Sequence, residues 1–231
     1  MLTPRCYMLR SGAWVSEDGL VDLTIRCTCG ALQGVARGIS PKAGNHAVCY
    51  CDDCQAFAHF LGRAAEIMDP HGGTEVFQMS PAALLITAGS ERLACMRLTG
   101  RGLCRWYAGC CNTPIGNTMH TSQLPFVGVV HLCIQRPAED PALQRAFGPV
   151  QVRSFRRFAQ GDAAALPADP VPLPLVVLRL LGSMLKWRLR GDHRRSPFFE
   201  PRTGKPTTLP RVLSTIEREE LRRRVERGPQ G

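Results

Sequence analysis

The chain has 231 residues, 44% of them apolar, and a formal net charge of +10. That apolar content supports a real core and excludes a disordered chain, and the lack of a Gly-X-Y or heptad period excludes a fibrous one. Charge and cysteine segregate: residues 1–140 carry eleven basic and eleven acidic side chains, residues 141–231 eighteen basic and eight acidic, and all eleven cysteines lie at or before Cys133.

The opening residues lack the apolar core of a signal peptide, and the apolar stretch from Val171 to Trp187 is broken by Pro172, Pro174, Arg179 and Lys186. Neither export nor a membrane span is therefore expected, and the expected compartment is the reducing cytoplasm. There, eleven cysteines read as metal ligands or redox groups rather than as a disulfide framework.

In chain order, residues 1–19 form an N-terminal segment and residues 20–135 a domain of short strands separated by turns. Val21–Ile25 alternates apolar and polar residues, and Val76–Gln78, Leu84–Thr87, Leu93–Leu98 and Phe126–Ile134 are apolar runs punctuated by Gly72-Gly73, Ala88-Gly89-Ser90 and Gly100-Arg101-Gly102. This spacing predicts antiparallel, mainly β structure, with one helix over 55–65. Residues 136–170 are a connector. Over 175–190 the helical period returns: Arg179, Ser183, Lys186 and Arg190 make one polar stripe, and the remaining faces are mostly Leu, Val, Met and Trp. Ser196–Pro210 is Pro-rich and irregular. A last helix is expected from Ser214, where Ser214 and Glu217 have capping-box spacing and Glu precedes Arg along the helix.

Three cysteine groups carry the chemistry. Cys27-Thr28-Cys29-Gly30 follows a strand, Cys49, Cys51 and Cys54 form a Cys-x-Cys-x-x-Cys unit, and Cys110-Cys111 precede Asn112-Thr113-Pro114. Thiolates so spaced on a turn can converge on one tetrahedral ion. A three-thiolate unit leaves one corner for water or substrate, the mark that separates a catalytic zinc from a structural one. Cys6, Cys95, Cys104 and Cys133 read as small core residues. Asp52 and Asp53 are solvated turn residues in the plainest reading. As part of the site they would hold a cation tightly and repel an anionic ligand unless basic residues offset them. His46 and His59 flank the second group as a fourth ligand or proton shuttle in one reading and as ordinary polar or core residues in the favoured one.

These residues resemble the glutathione-dependent formaldehyde-activating enzyme / centromere protein V family over about residues 20–135. The matching positions are Cys27, Cys29, Gly30, Cys49, Cys51, Cys54, Arg105, Tyr107, Cys111, Thr113 and Pro114. The resemblance implies a zinc-containing β-tent of antiparallel sheets. It also implies a closed structural zinc on the Cys-x-Cys pair and a late cysteine pair, with a second, labile zinc on Cys49, Cys51 and Cys54. The implied reaction joins formaldehyde to glutathione, carbon–sulfur chemistry of the lyase type. The chain departs from the pattern at Ala108, where the family has the first cysteine of its late Cys-x-x-Cys pair, and at Asn112, where it has glycine. The closed site then needs Cys110, or less favourably Cys104, as its fourth ligand, or stands empty.

The expected fold is thus a mainly β zinc domain with a basic helical extension over 171–231. Two functions follow: a zinc enzyme acting on a small thiol or thiol adduct, with no catalytic residue assigned, or a zinc-held binding module. In the second, residues 175–190 contact a partner protein or a membrane surface. Docking of that helix on the β domain is the plainer expectation, and nucleic acid is disfavoured because its charges are interleaved with Glu, Pro and Leu.

Overall fold

A computed structural model describes residues 6–8, 14–16, 20–134, 144 and 146–228. The Cys6 side chain and the start of the expected connector lie outside the described residues. The chain is mainly β, in two sheets. The smaller is built from β1 (Cys6–Met8), β2 (Trp14–Ser16), β3 (Val21–Arg26), β4 (Gln33–Ile39) and β7 (Leu84–Ala88), in that order.

The larger sheet has eight strands. Its central six are β5 (Asn45–Cys49), β6 (Thr74–Met79), β11 (Val127–Val130), β10 (Thr113–Thr118), β9 (Cys104–Ala108) and β8 (Leu93–Arg97), all antiparallel to their neighbours. The last two lie beyond residue 140: β12 (Val152–Ser154), from the expected connector, runs parallel to β5 at one edge, and β13 (Arg211–Val212), from the basic extension, runs parallel to β8 at the other. Between β5 and β6 lie α1 (Asp52–Phe60) and α2 (Ala64–Ile67), one helix more than the sequence predicts, divided where Gly62 takes a φ of 68°.

Alternation along the strands divides the core. The main cluster lies between the two sheets and includes Leu23, Ile25, Ile39, Phe77, Trp106 and Ile115. A second cluster covers the opposite face of the large sheet, where Ala47, Val76, Met96 and Val130 meet Phe57 and Leu61 of the α1 segment. Cys95, Cys104 and Cys133 are buried, as core residues should be.

The basic tail is stitched to both faces. Phe198 is fully buried with its ring centroid 4.9 Å from that of Trp106, and Phe199 meets the same indole edge-on at 6.0 Å. The stretch read from sequence as irregular thus supplies two aromatic rings to the main core, at roughly 1.5–3 kcal/mol for each buried side chain. Helix α3 (Leu173–Leu189) fully buries just three of its side chains, Val176, Met184 and Trp187. Helix α4 (Thr215–Arg227) starts at a complete Ser214–Glu217 capping box and inserts Leu221 against the second cluster.

Candidate metal centre

Two turns build the first cysteine cluster. After β3 the chain folds back so that Gly30 N–H donates to Cys27 O at 2.9 Å, and Gly30 has a φ of 79°, which a side chain would strain. After β9, Cys111 and Asn112 both donate backbone N–H bonds to Ala108 O. Asn112 takes a φ of 54°, one of the few residue types besides glycine that visit this region routinely. This turn lets the adjacent residues Cys110 and Cys111 face the same way. Ala108 itself is fully buried in the main core.

The sulfurs of Cys27, Cys29, Cys110 and Cys111 all lie within 4.8 Å of one another. Cys27 and Cys29 stand 3.5 Å apart, Cys27 and Cys110 3.9 Å, Cys29 and Cys110 3.4 Å, and Cys110 and Cys111 3.8 Å. Four thiolates around zinc at ~2.3 Å stand about 3.8 Å apart, so these residues fit a closed tetrahedral ion. Cys104 instead sits buried on β9 beside Cys95.

Arg63, which sequence reasoning passed over, clamps the two turns together. Its Nη1 donates to Thr28 Oγ1 at 2.9 Å, Cys111 O at 3.1 Å and Thr113 Oγ1 at 3.1 Å, while Nη2 pairs with Glu66 at 2.5 Å. Burial raises the Cys111 thiol, but hydrogen bonds from Thr113, Thr28 and the Cys29 backbone outweigh it and hold the group at about 5. Cys110, by contrast, is pushed up to about 12 by burial and by its three sulfur neighbours.

The second cluster forms where β5 runs into α1. Cys49 ends the strand, Cys51 caps the helix, and Cys54 lies in its first turn, with the three sulfurs within 4.8 Å of one another and Cys49 Sγ 3.3 Å from Cys51 Sγ. Gln55 holds the loop, its Nε2 donating to Tyr50 O at 2.8 Å and Phe158 O at 2.9 Å. The helix N-terminus favours negative charge at these positions.

Beneath the sulfurs lies Arg105, only 1% exposed. Its Nη1 reaches Cys54 Sγ at 3.7 Å and Asn117 Oδ1 at 3.4 Å, its Nη2 stands 3.8 Å from Asp53 Oδ2, and its guanidinium carbon lies 5.5 Å from the Phe57 ring centroid. Hydrogen bonds from Cys49 and Cys51 pull the Cys54 thiol well below its ordinary value, burial opposes them, and Arg105 adds to the depression. The Cys49 thiol is drawn down by Cys51, but Cys54 and burial prevail and raise it to about 11. The Cys54 thiol thus gives up its proton more readily than its two neighbours, and the cation that favours its charged form also faces one carboxylate of the exposed pair, Asp53.

His46 and His59 join neither cluster. His46 points to the other face of the large sheet, where its Nδ1 donates to Gly148 O at 2.9 Å. Its Nε2 lies 2.6 Å from Glu75 Oε1, and His131 Nδ1 lies 2.5 Å from the same oxygen. Nitrogen and oxygen ligands at ~2.0 Å from an ion would stand about 3.3 Å apart. The shorter spacings are those of hydrogen bonds, and the three side chains, which lie within 4.8 Å of one another, tie together β5, β6 and the turn after β11. His59 lies buried on α1, and burial followed by Arg224 and Arg227 lowers its affinity for a proton.

Fold and geometry together define a mainly β protein with two separate cysteine clusters able to hold metal ions. The chain belongs to a family of unknown function, DUF6151, whose model matches residues 20–209. The match runs well into the tail, in keeping with the burial of Phe198 and Phe199. No curated protein matches the chain.

Proposed function

We propose that this protein carries a structural zinc on Cys27, Cys29, Cys110 and Cys111 and a reactive zinc on Cys49, Cys51 and Cys54. We further propose that the second site joins a small thiol to an aldehyde, as in the glutathione-dependent formaldehyde-activating enzyme / centromere protein V family it resembles. The observation that carries this reading is the contrast between four convergent sulfurs, which close a tetrahedron, and three, which leave one corner. Zinc at the three-sulfur site would supply a Lewis-acid corner that stabilises a substrate thiolate.

The chain's own residues set the charge. Arg105 faces both Cys54 and Asp53 and lessens the negative charge that an anionic thiol such as glutathione would meet. In the reaction the thiol sulfur bonds the carbonyl carbon, the carbonyl π pair moves to oxygen, and the thiol proton ends on that oxygen as a hydroxyl.

Metal analysis of the purified protein tests the sites, with two zinc ions per chain expected. Formation of S-hydroxymethylglutathione from formaldehyde and glutathione, followed by proton NMR, tests the activity. The wild type should exceed Cys54→Ser by at least tenfold. Equal rates with metal present would leave a zinc-held binding module in place of the enzyme.

A further inference from the structure

Helix α3 presents two ridges, half a turn apart. One, Val176, Met184 and Trp187 with Leu180 between them, docks on the body. The other is bare: Leu178, Leu181, Leu185 and Leu189 follow one another at spacings of three, four and four, and are 66%, 57%, 62% and 80% exposed. Single exposed leucines are ordinary, but a continuous apolar ridge marks an interaction surface.

Charge decides what covers it. The helix contains no acidic residue. At about 100° per residue, Arg179, Lys186 and Arg190 line one flank of the bare ridge and Arg188 the other. Each flank opens into a basic hollow. On the Arg188 side, a hollow of about 350 Å³ is lined by Arg188, His193, Arg194 and Arg202, with Arg188 held by a 2.7 Å bond to Gln123 Oε1. On the other side, a hollow of about 420 Å³ is lined by Arg37, Lys42, Lys186, Arg190 and Arg195. The acid in that second hollow, Asp192, is already engaged by Ser80 at 2.7 Å and Arg195 at 2.5 Å.

We infer that α3 is an interfacial helix that seats this chain on the surface of an anionic phospholipid bilayer. Leu178, Leu181, Leu185 and Leu189 enter the acyl boundary, and the cations on both flanks meet headgroup phosphates. The ridge is convex and its cations stand behind it on either side, the arrangement a flat anionic interface satisfies in one contact. A protein groove would have to be acidic on both walls. No described helix is long and apolar enough to cross a membrane, so α3 lies on the bilayer rather than through it.

The test is co-sedimentation of the full-length protein with vesicles of phosphatidylcholine alone or of phosphatidylcholine with phosphatidylserine. Binding should be at least tenfold stronger to the anionic vesicles and should fall as salt is raised. Leu181→Ser/Leu185→Ser should weaken it at least tenfold through the lost apolar insertion, and Lys186→Glu/Arg190→Glu should abolish the preference for anionic vesicles. All four side chains are exposed, so the variants should melt like the wild type. Absent binding, equal binding to both vesicles, or binding indifferent to these variants overturns the inference. Self-association of the wild type that Leu181→Ser/Leu185→Ser abolishes would assign the ridge to a second copy and overturn it equally.

Discussion

Replacing Arg105 by Met keeps most of the side chain's bulk and removes its charge. The residue is 1% exposed, and the neighbours of its guanidinium are Cys54 Sγ at 3.7 Å, Asn117 Oδ1 at 3.4 Å and Asp53 Oδ2 at 3.8 Å. The sulfur beside it is the one whose thiol is held well below its ordinary value, partly by this guanidinium, so the substitution removes the counter-charge from the charged form of a buried group. Breaking a buried pair by removing one partner costs about 3–5 kcal/mol. For a chain of this size, where ~1 kcal/mol shifts the melting temperature by roughly 2–4 °C, that is a fall of roughly 10 °C. Thermal unfolding of wild type, Arg105→Met, Cys54→Ala and the double variant forms the decisive cycle. The cost of Arg105→Met should shrink sharply in the Cys54→Ala background, because the sulfur that the guanidinium faces at 3.7 Å is then gone. Arg105→Met as stable as wild type, or costs that simply add, would refute the assignment of Arg105 as the counter-charge. Arg105→Lys, which keeps charge but loses the planar fork, should fall between the two.

Cys110→Ser should lower the zinc content by one ion per chain, while Cys104→Ser should leave it unchanged, with elemental analysis reading both. His59 is held neutral in the fold by burial, Arg224 and Arg227, below the ordinary histidine value of 6.5. Its contribution to stability is therefore complete above pH 6.5 and is lost as pH falls through the depressed folded value. Urea unfolding across that range should show a slope that His59→Gln flattens. Phe198→Ala should destabilise by about 3–5 kcal/mol, a loss visible in the same unfolding assay; a change below ~1 kcal/mol would mean the tail is not part of the core.

The helices were the most legible elements. Over 173–189 the 3.6-residue period is strong, and Ser214 with Glu217 announces the start of α4. Strand β3 also shows in its alternation, and β6, β7, β8 and β11 in their apolar runs. By contrast β5 and β10 are buried on both faces while carrying Asn45, His46, Thr113 and Asn117, so neither alternation nor an apolar run betrays them. The cysteine groups are readable from spacing alone, and the convergence of Cys110 with Cys27 depends on a turn that only Asn112 hints at. Arg63 and the His46–Glu75–His131 network are invisible for one reason: each joins residues dozens of positions apart, and no local pattern records such meetings. The Pro-rich look of 196–210 hid Phe198 and Phe199 because their partner, Trp106, lies on a distant strand.

The parallel strands β12 and β13 bear on how the chain is made. Side-chain bonds beside them, Ser154 to Val48 and Thr208 to Leu93, span 106 and 115 positions. The two borders of the large sheet therefore stay open until strands from more than a hundred positions downstream of their partners are available. Such late, long-range closure slows folding and exposes unpaired strand edges to neighbouring chains. The cysteine clusters lie wholly within the first half of the chain. The division between a cysteine-rich front and a cysteine-free back thus follows the order in which the interior of the sheet and its borders become available.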